Sequence, residues 1–174
     1  MKIVVIISGT LLIILFSWFL SVKYKRYHGI VRFFAFESIF FLTLLNYKQW
    51  FVNPFSLHQV ISWILLFASI YVVVDGFLLL KRKGEPEINF EDTTHLVKSG
   101  IYGLIRHPLY LSLFMLGTGI MLKDARPVQL FLGFVNLVSV YFTALIEESE
   151  MIHKFGDEYR QYMTETKMFI PFIL

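Results

Sequence analysis

Cysteine is absent from all 174 residues, which excludes disulfides, zinc–thiolate sites, iron–sulfur clusters and a thiol nucleophile while leaving the redox compartment open. Charge is scarce too: Asp, Glu, Lys and Arg make up 17% of the chain, against 56% hydrophobic and 18% aromatic residues. An average soluble domain is about 45–50% apolar even with glycine counted, so one small soluble core cannot hide this surplus. The uncharged run from Ile3 to Leu20 has no water-compatible place. No internal repeat or low-complexity segment is visible, and the basic residues flank apolar runs instead of sharing one soluble face, which argues against nucleic-acid binding. The expected fold class is all-α, a polytopic integral membrane protein with about five transmembrane helices.

The first apolar run, residues 3–22, is followed at once by Lys23, Tyr24, Lys25, Arg26 and Tyr27. A signal peptide places its basic residues before the apolar region, so a retained helix is the better reading. The second span is expected from about Phe33 to Phe51, ending in the interfacial aromatics Tyr47, Trp50 and Phe51, before a turn at Asn53 and Pro54. The third runs from about Leu57 to Leu80, and Lys81, Arg82 and Lys83 stop it. Residues 84–100 form the longest hydrophilic connection, with Glu85, Glu87, Glu91 and Asp92. Leu109–Leu122 and Val128–Ile146 flank a turn at Lys123 to Pro127, and the first of them is short enough that its helix is expected to begin near Ile101. Residues 147–168 are charged and helix-compatible, and Phe169, Ile170, Pro171, Phe172 and Ile173 form an apolar plug.

Lys and Arg alternate along the loops: four in residues 23–32, one in 46–55, five in 81–107 and two in 123–127. The positive-inside rule makes the first and third loops cytoplasmic, so five spans put the N-terminus outside and the C-terminus inside. The 81–107 loop and the tail then share one face of the membrane.

The densest chemistry lies in Thr93 to Tyr110, TTHLVKSGIYGLIRHPLY. On a helix, Arg106 and Tyr110 share a face with His107 beside them, so cation, imidazole and phenol converge. Pro108 removes a backbone donor and biases His107 away from helical geometry. The alternative is a basic interfacial stop anchored by Tyr102 and Tyr110. A second block, Glu147, Glu148, Ser149 and Glu150, follows an apolar span, at the depth expected for Arg106 and His107. Opposite charges meeting at one depth suggest a site, because a partly desolvated charge needs a partner; a solvated start to the tail is the plainer reading. Phe155, Tyr159 and Tyr162, spaced by four and three, read first as a packing stripe. Glu37 and Asp75, inside apolar spans, read first as paired or snorkelling groups, and Gly117 and Gly119 as sites of close helix packing.

HLVKSGIYGLIRHPLY, then a helical hairpin, then EESEMIHKFGDEYRQYM and FIPFI, resembles the membrane isoprenylcysteine carboxyl methyltransferase and phospholipid methyltransferase group over residues 93–174. The resemblance implies S-adenosyl-L-methionine as methyl donor; with the spans placed by hydropathy, residues 1–80 are expected to be an N-terminal three-helix transmembrane region and 81–174 the cofactor-binding region with its helical hairpin and cytoplasmic tail. Carried over position by position, cofactor contacts fall on Thr94, His95, Leu96, Val97, Tyr102, His107, Pro108, Leu109, Tyr110 and Glu147, with Arg106 and Glu148 as catalytic candidates and no metal. The isoprenylcysteine enzymes often carry histidine at the position of Thr94, whereas here His95 is next door. They also carry an arginine, associated with the substrate carboxylate, four residues before the first glutamate, where this chain has Thr143. An anionic acceptor needs no base; an alcohol or enol needs one, and Glu148 or His95 is the candidate. The acceptor is expected to be a lipophilic small molecule or lipidated molecule reached from the bilayer. Sterol-type reductases resemble the same RHPLY and FGDEYRQYM patterns but use NADPH, for which the tail offers Lys154, Arg160 and Lys167 against six carboxylates. A non-catalytic membrane scaffold is the third reading.

Overall fold

Long apolar runs without internal proline satisfy their own backbone groups as helices, the open-chain solution available in lipid. The computed structural model describes residues 2–87 and 92–171. It is built from α1 (Lys2–Leu20), α2 (His28–Asn46), α3 (Leu57–Lys83), α4 (Pro108–Met121), α5 (Pro127–Phe155) and α6 (Asp157–Glu165), with short 3-10 turns at Val22–Tyr24 and Gly100–Gly103. Isolated bridges, Pro86 with Thr93 and Ile105 with Lys167, are the extended pairings present among the described residues. The all-α expectation holds. Four of the helices, α1, α2, α3 and α5, are long and apolar enough to cross a membrane. The fourth apolar helix, α4, has 14 residues and at 1.5 Å per residue reaches about 21 Å, short of a hydrocarbon core of roughly 30 Å.

The central pairs are α2 with α5 and α3 with α4, while α1 leans on α2. Small residues let the first pair approach: Ala35 and Ala144 are completely buried beside Val140, Tyr110 and Met168. Gly119 does the same for α3 and α4, because a Cβ there would sit 3.0 Å from Leu66 and 3.2 Å from the Ser62 carbonyl.

Three sequence boundaries move. The α4 helix begins at Pro108, not near Ile101: Gly100 holds φ +62°, residues 100–103 make only a 3-10 turn, and His107 caps the helix at φ −122°, ψ 59°. Arg106 therefore does not share a helical face with Tyr110. The α5 helix runs straight through Glu147 and Glu148 to Phe155, so the carboxylates lie within it and not beyond its end. Gly156, at φ +59°, breaks it, a conformation an L side chain rarely adopts. The second span starts at His28 and ends at Asn46, and Tyr47, Trp50 and Phe51 fall in the following turns. Glu91 of the polar connection and Phe172 and Ile173 of the apolar plug lie outside the described residues.

Candidate functional site

Proline at the first position of α4 leaves the preceding residues extended, and the end of the tail pairs with them: Arg106 N donates to the Lys167 carbonyl at 2.8 Å and His107 N to the Met168 carbonyl at 3.2 Å. This fixes both side chains against α5. Arg106 Nε donates to Glu148 Oε1 at 2.7 Å, and both side chains are less than a tenth exposed. Its Nη1 donates to the carbonyls of Met163 and Thr166, tying α6 to the same point. The His107 ring lies between neighbouring carboxylates, Nδ1 at 3.2 Å from Glu147 Oε2 and Nε2 at 3.3 Å from Glu148 Oε1. It also stacks on Tyr110, with centroids 5.5 Å apart. Burial alone lowers the His107 pKa, but hydrogen bonds and charge from Glu147 and Glu148 outweigh it, leaving the group above its ordinary value.

These residues form one wall of a cavity of about 230 Å³. Leu96, Val97, Tyr102, Arg106, His107, Pro108, Leu109, Tyr110 and Glu147 all line it; Glu148 touches it through Arg106 and His107. Phe155, Tyr159 and Tyr162 line it too, so the tail stripe faces the cavity instead of the membrane surface. Tyr162 donates its hydroxyl to the Tyr102 carbonyl at 2.6 Å. Burial pushes Tyr102, Tyr159 and Tyr162 upward from the usual phenol value, so they remain neutral donors.

Thr94 and His95 stand off this wall. The Thr94 hydroxyl donates to the Glu85 carbonyl at 2.9 Å, and His95 is largely exposed beside Glu85. The neighbouring Thr93, buried, lines the cavity in their place. The loop is pinned by Asp92, which takes Lys154 Nζ at 2.7 Å and faces Arg26 at 3.5 Å; the lysine hydrogen bond holds the Asp92 carboxyl below its usual value.

Sequence reasoning missed the share contributed by α2 and α3. Arg32 and Phe36 of α2 and Val73, Phe77 and Leu80 of α3 line the cavity. Arg32 is 4% exposed, its Nη2 donates to Ser21 Oγ at 2.7 Å, and its charge acts on Glu147. His28, fully buried, meets Glu150 Oε2 at 2.7 Å. A signal existed: His28, Arg32 and Phe36 recur every four residues, one face of a helix directed at α5. Of the other intramembrane acids, Glu37 accepts a hydrogen bond from Thr10.

A family model described as phospholipid methyltransferase matches residues 57–158, which hold α3, the polar loop, α4, α5 and the start of α6. The chain belongs to the phospholipid methyltransferase family. The family's match stops short of α1 and α2, and so leaves out Arg32 and Phe36. Among curated relatives, methanethiol S-methyltransferase 1 of Bradyrhizobium diazoefficiens is 30% identical over 116 residues, 63% of this chain and 39% of that protein. The protein-S-isoprenylcysteine O-methyltransferase of Xenopus laevis is 34% identical over 84 residues, 47% of this chain and 29% of its own length. Protein-S-isoprenylcysteine O-methyltransferase A of Arabidopsis thaliana is 29% identical over 129 residues, 72% of this chain and 62% of that protein. The matched segments thus span less than two thirds of each relative. No solved structure matches the chain. Its apolar helices and its membership of this family make it an integral membrane protein.

Proposed function

We propose that this chain is a membrane methyltransferase that uses S-adenosyl-L-methionine and a lipophilic or lipidated acceptor reached from the bilayer, with the cavity on the cytoplasmic side and the N-terminus outside. The observation that carries this is the cluster of Arg106, His107, Glu147 and Glu148 on one wall of a cavity otherwise built from apolar and aromatic side chains. That donor set suits the ligand: Glu147 for the ammonium or ribose hydroxyls, Arg106 or His107 for the carboxylate, and Leu96, Val97, Tyr102, Pro108, Leu109 and Tyr110 for the adenine. When bound, the cofactor would supply an electrophilic methyl group, with these residues holding it beside the acceptor.

The chain's own groups position and exclude water more than they move protons. Glu148 Oε1 already accepts from Arg106 and His107, so we assign both Glu148 and Arg106 to holding His107 and the tail in place, and not to proton abstraction. His95, exposed beside Glu85, is absent from the cavity lining, and we assign it no proton transfer. Thr94 and His95 are assigned to the turn of the loop.

The test is calorimetric titration of the detergent-purified protein with S-adenosylmethionine, with His107→Ala and Glu147→Ala alongside and NADPH as competitor. Micromolar binding lost in both variants is expected. Binding of NADPH in its place would establish the reductase reading, and binding of neither ligand a non-catalytic scaffold.

A further inference from the structure

The end of the bundle remote from the cavity holds a second, polar space of about 340 Å³, between the α2–α3 connection and the α4–α5 turn. Gln49, Asn53, His58, Gln59, Lys123 and Asp124 border it. Asn53 and His58 are exposed, whereas Lys123 is 2% exposed. The Lys123 ammonium donates to Gln59 Oε1 at 3.0 Å and stands 3.6 Å from the centroid of Trp63 and 5.4 Å from that of Trp50. All of these partners are neutral. They use part of an ammonium that has three donors, and the carbonyls ending α4 add a fraction of a negative charge. The adjacent carboxylate is engaged elsewhere: the Asp124 oxygens take Arg126 Nε at 3.1 and 3.0 Å. A buried cation with neutral partners is short of one negative charge, and the space beside it is where an anion reaches it. The surroundings add to the imbalance, because Lys48 is a further cation on the α2–α3 connection and residues 46–58 contain no acid. Around the space that connection exposes Tyr47, Phe51, Phe55 and Leu57, with Phe55 at 92%. Aromatic and apolar side chains between two helices that are long enough to cross a membrane belong at headgroup depth.

We propose that this space binds the head of an anionic phospholipid, a phosphodiester carrying an uncharged alcohol, with a phosphate oxygen on Lys123 Nζ. The Gln49 and Asn53 amides and the His58 ring serve the remaining oxygens and hydroxyls, and the acyl chains lie over the apolar rim. The missing negative charge names the phosphate, and the exposed rim names a lipid as its source. A zwitterionic head fits less well, since its own cation arrives where Asp124 is already taken by Arg126. The lipid is a bound ligand and not the methyl acceptor, so the inference does not depend on the methyltransferase reading.

The full chain in dodecyl maltoside is melted during titration with dioleoylphosphatidylglycerol, with dioleoylphosphatidylcholine and inorganic phosphate as separate arms. Phosphatidylglycerol should raise the melting temperature by about 5 °C at saturation, and phosphatidylcholine by less than about half as much. Lys123→Gln should abolish the difference between the lipids, whatever its own starting stability, and Lys123→Arg should keep much of it. The paired change Gln49→Ala and His58→Ala, made nearer the surface, should weaken phosphatidylglycerol by about fivefold while the lipid-free chain melts as before. Equal shifts from the two lipids in the unaltered chain overturn the proposal. So does a phosphatidylglycerol preference that survives both Lys123→Gln and the paired change, which assigns it to the basic stretch Lys81, Arg82 and Lys83 at the other end of α3. A shift from inorganic phosphate as large as that from phosphatidylglycerol overturns the lipid as occupant and keeps the anion site.

Discussion

Polar side chains are buried at both ends of this helix bundle, and the two ends use them differently. At the end formed by the start of α4 and by α6, charged groups face a cavity: Arg106, His107 and Glu147 each line it. At the other end, Lys123 is buried with Nζ 3.0 Å from Gln59 Oε1 and 3.6 Å from the centroid of Trp63. Gln59 in turn donates to the Gln49 carbonyl, Asn46 to the Ile120 carbonyl and Gln129 to Asn46 Oδ1. No carboxylate among the described residues pairs with Lys123, and burial lowers its pKa, whereas two carboxylates raise that of His107. Amides that reach backbone carbonyls knit the helix ends together, and although Gln49, Gln59 and Lys123 also border a space, it is at the first end that opposite charges gather round the cavity.

The sharpest way to break this contrast is to remove charge at the first end. Glu147→Gln should reduce S-adenosylmethionine affinity by about 100-fold, roughly 3 kcal/mol, because it leaves His107 and Arg32 short of a carboxylate while preserving shape. Calorimetry checks the affinity, and an unchanged secondary-structure spectrum separates it from misfolding. The complementary change, Lys123→Met, should leave that affinity untouched and lower thermal stability by about 1–2 kcal/mol through loss of the Gln59 hydrogen bond and the contact over Trp63. If Lys123→Met altered cofactor affinity as much as Glu147→Gln, the two ends would not be functionally distinct.

A smaller effect sharpens the same comparison through pH. The folded His107 lies above its ordinary value of 6.5, so the stability it gains from protonation is fully present below that pH and is lost as pH rises through the raised folded value. Thermal melts between about pH 6 and 9 should show the wild type losing more stability than His107→Gln over that window. Lys123, whose value burial depresses, contributes with the opposite sign: its penalty is relieved as pH rises through the lowered folded value.

Much of this arrangement was legible from residue types. The apolar runs gave the helices, and the pairing of RHPLY with EE gave the ionic cluster, because opposite charges at one membrane depth have few other partners. Boundaries were not legible: Glu147 and Glu148 looked like the end of a span, yet charged residues continue a helix freely, and Gly156 ends α5 by its backbone conformation. Arg32 was hidden for another reason. It follows Lys23, Lys25 and Arg26 and reads as one more flanking cation, whereas α2 begins at His28 and turns it inward against α5. A count of loop charges cannot see helical phase.

The weakest perturbation is expected at the loop that overhangs the cavity, and it separates residues that line a site from those that only neighbour it in sequence. Thr94 and His95 sit between Asp92 and Leu96 in the chain, but their side chains address Glu85 and each other at 2.9 Å. His95→Ala should therefore shift S-adenosylmethionine affinity less than about twofold, within roughly 0.5 kcal/mol, as expected of an exposed side chain. Thr93→Val, two positions earlier and buried against the cavity, should cost more than His95→Ala in the same titration. The opposite ranking would mean that the loop refolds on binding and carries His95 inward.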